Sequence, residues 1–234
     1  MQKLPIDEAI AARNTAGRAP YPDPEITRRQ QLRAVKPPPV DLLAVTGEGP
    51  SADTARHAMR NLHETWTLIH DSAKNFEVEL KELTKVGQNA LKRGLKSADA
   101  AGAKINEQIA HIDSKIKAAT QPNITPQMAA EIRSMVRDDP KRAAGLCRSD
   151  ARIASAILGG PAALSGLDEK TYEVARQSAL LAHAPDEVGQ RKVAEAALAA
   201  LNRAGSSAVA NLQTKLLQWE EATPVSLDKL RAAT

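Results

Sequence analysis

The sequence predicts an all-α protein: an elongated helical bundle built on one long central helix and a long C-terminal helix, with an extended, proline-rich N-terminal arm. Three observations carry this. Only 2% of the residues are aromatic while 42% are hydrophobic, most of them alanine and leucine, which favour helices, whereas aromatic and β-branched residues favour strands. Residues 51–120 contain no proline and carry a heptad-like apolar stripe. Eight of the 14 prolines fall within residues 1–50, where they fix φ, remove backbone donors and keep preceding residues from helix.

The arm spans residues 1–50. Short helices fit at 6–16 and 24–34, with Pro24 in a first turn. Pro37-Pro38-Pro39 favours polyproline II. Such a segment buries little apolar surface by itself, so it is expected to strap onto a neighbouring subunit.

Residues 51–121 form the second segment. Ser51 or Asp53 can cap its start. The stripe runs Leu62, Ile69, Phe76, Leu83, Ala90, with Trp66, Ala73, Leu80, Gly87, Gly94 beside it. It continues one residue out of register as Leu91, Ala98, Ile105, Ile112, Ala119, with Leu95, Gly102, Ile109, Ile116. Such a stripe marks a helix packed lengthwise on other helices. The offset reads as a skip in a supercoil, or as a break near Gly87 or Gly94. Unbroken, the helix would reach about 100 Å at 1.5 Å per residue.

Residues 122–184 read as a cluster of short helices. Thr125 and Asp168 are N-cap candidates, and Gly159-Gly160-Pro161 is a stop. Residues 185–234 hold a final long helix and tail. That helix carries a stripe through Ala194, Leu198, Leu201, Gly205, Ala208, Leu212, Leu216 and Trp219. Small residues on both stripes predict an antiparallel pairing of the two long helices.

The expected interface residues are Leu62, Trp66, Ile69, Phe76, Leu80, Leu83, Ile105, Ile109, Ile112, Ile116, Leu201, Leu212 and Trp219. On that reading, aspartate at Ile109 and Ile112 abolishes assembly. Net charge is +4 without a strongly basic segment. Two acid-free groups, Arg28, Arg29, Arg33 with Lys36 and Lys85, Lys92, Arg93, Lys96, can meet phosphate or an acidic partner, or form a solvated face.

No catalytic constellation is expected, and no cofactor or metal. Gly47-Glu48-Gly49-Pro50-Ser51-Ala52 matches G-x-G-x-x-A, the turn that holds pyrophosphate at a helix start. Glu48 opposes a phosphate there, and no second parallel strand follows. His63-Glu64 lacks the partner imidazole of a zinc-protease helix, since Thr67 stands four residues on. His57, His63 and His70 are read as flanking the packing seam. Cys147, the single cysteine, has no base in its own segment and reads as buried. Ser206-Ser207 lacks a nucleophile-elbow pattern. The first residues, MQKLPIDEAIAARN, lack an apolar signal region, and no run suits a membrane span. Cytoplasmic synthesis of a soluble protein is therefore expected.

Residues 153–177, IASAILGGPAALSGLDEKTYEVARQ, place the small-Pro-small step Gly160-Pro161-Ala162 before Leu164-Ser165-Gly166-Leu167 and the acidic helix start Asp168. This resembles a pattern in small helical structural and assembly proteins of tailed bacteriophages and prophages. The resemblance implies a virion or assembly role, with other subunits as partners, and assigns no functional residue. The alternatives are a nucleic-acid-binding accessory protein and a monomeric helical adaptor, chaperone or effector.

Overall fold

The computed structural model describes residues 30–31, 33–34, 41–75 and 79–222. They form seven α-helices with three short 3₁₀ turns and no strand among the described residues. The helices are α1 (Pro50–Lys74), α2 (Leu80–Thr120), α3 (Pro126–Asp138), α4 (Ala143–Ser149), α5 (Ala151–Leu158), α6 (Glu169–His183) and α7 (Pro185–Ala222). The all-α class is as predicted.

The expected single helix over 51–121 is two helices. α1 stops at Lys74, where Asn75 turns extended, and α2 starts after an extended Glu79. Neither Gly87 nor Gly94 breaks α2. Instead both admit a neighbour: a Cβ on Gly87 would lie 2.7 Å from Leu216 Cδ2, and one on Gly94 would lie 3.0 Å from Leu62 Cδ2. The one-residue offset has a simple origin. Buried positions of α2 run Leu83, Gly87, Ala90, Gly94, Ala98, Ala101, Ile105, Ile112, which follows the 3.6 period of a straight helix. A strict seven-residue repeat falls behind it by about 20° per heptad, so no skip is needed.

α2 runs antiparallel to both α1 and α7. Against α1, Ser51 bonds Gln108 and Asn61 bonds Ser97. Against α7, Gly102 faces Leu198, and Arg191 pairs with Asp113. The predicted pairing of the long helices is therefore present. Leu201 shares one buried cluster with Ala98, Ala101 and Ile105, and Leu212 another with Leu83 and Ala90.

The three-helix core has two halves of different chemistry. Near the start of α1 it is built largely of alanine, with Met59, Leu62, Ile105 and Leu201. Each methyl buries little area, so backbones must come close. Toward the other end, Trp66, Ile69, Leu83, Leu212, Leu216 and Trp219 fill wider space.

Two described pieces of the arm rest on this same chain. Val45, after a 3₁₀ turn capped by Asp41, is buried in the alanine-rich half. At the opposite end Arg33 Nη1 donates to the Asn75 carbonyl at 2.6 Å, and Lys215 Nζ to the Gln31 carbonyl at 3.4 Å. These pieces cap both ends of their own bundle; the rest of the arm, on which the expected strap onto a neighbour mostly rests, lies outside the described residues.

α1 lacks the expected side-chain cap. Its N-cap is Gly49, at φ 119°, followed by Pro50 in the first turn. Ser51 is buried and spends its hydroxyl on Gln108 Oε1 at 2.6 Å. Thr125 and Asp168 do cap α3 and α6, accepting from the Met128 and Thr171 amides. Asp150 caps α5 in the same way. Helices α3 to α6 share a separate core of Val136, Ala143, Cys147, Ala154, Ile157, Leu167, Ala175 and Ala179.

Candidate interaction surfaces

The stripe residues expected at an interface are inside the chain. Leu62, Trp66, Ile69, Leu83, Ile105, Ile112, Leu201, Leu212 and Trp219 are all buried by the chain's own helices. Leu80, Ile109 and Ile116 are partly buried, and Phe76 lies outside the described residues. The physical reason is the break after Lys74: folding back, α1 supplies the surface that the stripe of α2 needs. Most of this apolar surface is therefore covered by the chain itself, while Leu80, Ile109 and Ile116 keep an exposed edge. An aspartate at Ile112 would place a charge in a site only 8% exposed; it would unfold the chain, so it cannot report on assembly.

Other surfaces open to a partner among the described residues include the following three. The first is a groove of about 750 Å³ between α2 and α7, on the side away from α1. Leu95, Gly102, Leu198, Gly205 and Val209 line it, with Asn106 and Asn202. Nothing lies within 4 Å of a Cβ built on Gly205. The two helices are tied beyond each end of the groove, by Arg191–Asp113 at 2.6 Å and Gln88–Glu220 at 2.7 Å. The second surface is on α3, where Met128 and Met135, seven residues apart and so on one face, are 39% and 48% exposed, as is Leu164 at 48% on the adjoining turn. Arg137 holds that turn by donating to the Leu164 carbonyl at 3.0 Å. The third is the outer face of α2, where Lys85, Lys92, Arg93 and Lys96 are exposed. Of the other basic group, Arg33 is engaged with Asn75, while Arg28 and Arg29 lie outside the described residues.

The glycine-rich turn before α1 borders a cleft of about 430 Å³, lined by Glu48, Ser51, Lys104, Gln108, His111 and Lys115. The glycines have structural roles. Gly47 has φ 88°, and a Cβ there would meet Val193 at 2.9 Å. Its carbonyl accepts from Arg56. Among the described residues no strand accompanies this turn, so the arrangement is a helix entry without the sheet of a dinucleotide fold.

Cys147 is fully buried, and burial pushes its thiol up to about 11. The nearest histidine is one that sequence distance concealed. His183 Nε2 lies 2.8 Å from the Cys147 carbonyl, to which it donates, and so serves the backbone there. Of the histidines on α1, His70 Nδ1 is 3.4 Å from Asp71, and His63 Nδ1 is buried without a hydrogen-bond partner. No group of three metal-ligating side chains comes together among the described residues. No helix among them is long and apolar enough to cross a membrane.

The segment of residues 153–177 is a helix-turn-helix joint. α5 ends at Gly159, and the 3₁₀ turn Ala162–Ser165 closes on left-handed Gly166 at φ 67°. Tyr172 Oη donates toward the Gly160 carbonyl at 3.2 Å and the Leu158 carbonyl at 3.4 Å, holding the step in place. No protein-family model, curated protein or solved structure matches the chain.

Proposed function

We propose that the chain is a non-enzymatic structural or assembly protein that binds neighbouring protein subunits, as a component or assembly factor of a tailed-phage particle. The observation that carries the binding role is the α2–α7 groove. It is lined by small and apolar residues edged by Asp99, Asn106, Asn202 and Gln213, and lies between two bonds that tie the helices together. Exposed apolar surface of this kind marks interaction sites, and the small residues permit close backbone approach. The Met128–Met135–Leu164 face adds a second such surface. The phage context rests on the resemblance of residues 153–177. The test is quantitative mass spectrometry of particles and precursor particles from a lysate of the encoding strain. The reading expects the chain in fixed copy number in one of the two; absence from both would remove it.

Burial of the stripe within one chain favours a second reading, a monomeric helical adaptor, chaperone or effector that folds alone and engages a single partner. In that case the chain would be monomeric and co-purify with one protein in equal amount, outside any particle.

A further inference from the structure

We propose that the outer face of α2 is a docking site for the phosphate backbone of duplex DNA. Lys81, Lys85, Lys92 and Lys96 lie within a narrow arc of the helix at 100° per residue, opposite buried Leu83, Ala90 and Ala101. Arg93 borders the row on one side. All five are exposed. None of them has a salt bridge or side-chain hydrogen bond among the described residues. Among the described residues ion pairs are made mostly by arginines, as in Arg152–Asp150, Arg176–Glu173 and Arg191–Asp113, and by Lys74 alone of the lysines, so it is alignment in one row that sets these cations apart.

Four-residue spacing sets Lys81 beside Lys85 and Lys92 beside Lys96, like charges that repel and give the helix no support. The acids Glu82 and Asp99 stand toward the two ends of the row, and Glu220 of α7 comes to the border of its middle, where it accepts from Gln88 at 2.7 Å. The row extends over about 22 Å at 1.5 Å per residue. A rigid line of cations of that length lies along several phosphates of one strand, whose axial rise is about 3.4 Å per phosphate.

The choice of nucleic acid over an acidic protein follows from what the row lacks. Its interior neighbours on the face are Gln88 and Asn89, both polar, and no large apolar side chain stands among the cations. A protein interface needs an apolar centre, whereas a phosphate lattice needs only charge. This inference stands apart from the subunit-binding reading: the row precedes the groove along α2, whose lining residues Asp99 and Ala103 continue the same arc toward the helix C-terminus.

The test is fluorescence anisotropy of a labelled duplex titrated with the full chain over a salt series. The comparison sets the triple variant Lys85→Gln/Lys92→Gln/Lys96→Gln beside a control of equal charge loss, Lys141→Gln/Lys170→Gln/Lys192→Gln, whose positions are also exposed. Circular dichroism melts establish that both variants stay folded. The proposal expects salt-dependent binding by the native chain. It expects the row variant to lose at least tenfold in affinity at low salt and to flatten the slope of log K against log salt by about 0.9 per lysine removed. The control should retain most of both. No binding at low salt, equal losses in the two variants, or equal affinity for a polyglutamate competitor would overturn it.

Discussion

At the scale of single residues, the chemistry of this chain is that of packing. Trp219, fully buried against the wide half of the core, is the largest anchor of α7. Trp219→Ala is expected to cost about 3–5 kcal/mol, by lost burial and a residual cavity, read as a shift of the urea midpoint. Cys147 supplies a pH dependence. Its thiol is raised from 9.0 to about 11 in the folded chain, so the native state holds that proton where the unfolded chain releases it. The resulting stability is fully present below about pH 9 and is lost as pH rises toward 11. In the native protein a thiol reagent at pH 8 should therefore react slowly, and rapidly once denaturant is added; fast native reaction would contradict the burial. The burial of Trp66, Trp219 and the cysteine was legible in the sequence, because their types and spacing leave few other roles. His183 was not, since its contact with the Cys147 carbonyl joins residues 36 apart through a fold that no local pattern encodes.

At the scale of elements, glycine positions separate two physical roles. Gly166 is left-handed, and a Cβ there would lie 2.8 Å from Arg137 Cγ. Gly166→Ala should destabilise by about 1–2 kcal/mol from backbone strain alone. Gly205 sits within α7 over open space. Gly205→Ala should stabilise by about 0.4–1 kcal/mol, because it removes unfolded-chain freedom without a clash. Opposite shifts of the thermal midpoint are the check. Helix ends with polar caps were readable: Thr125 and Asp168 offer oxygens to the first-turn amides, and Gly159-Gly160-Pro161 stops α5. The end of α1 was not. Asn75 and Glu79 carry no strong breaker chemistry, and the apolar period continues across them. Gly87 and Gly94 drew attention as break points, yet each is a contact where another helix comes close. A glycine in a stripe signals either role, and only tertiary packing decides between them.

At the scale of the whole molecule, that hidden break changes the reading of the stripe. A continuous helix would leave its apolar face to another subunit. The return of α1 along α2, with α7 on the third side, satisfies it within one chain. Surfaces for partners then shift to the α2–α7 groove, the methionine face of α3 and the cationic face of α2. The period told where the apolar face was; it held no information on whether the surface covering it came from the same chain or another. The most direct test is the thermal midpoint as a function of protein concentration, over roughly a hundredfold range, because stability drawn from association depends on concentration by mass action. A bundle closed within one chain predicts a midpoint independent of concentration. A midpoint that climbs steadily with concentration would show that the stripe is completed by a second chain, and would contradict the account.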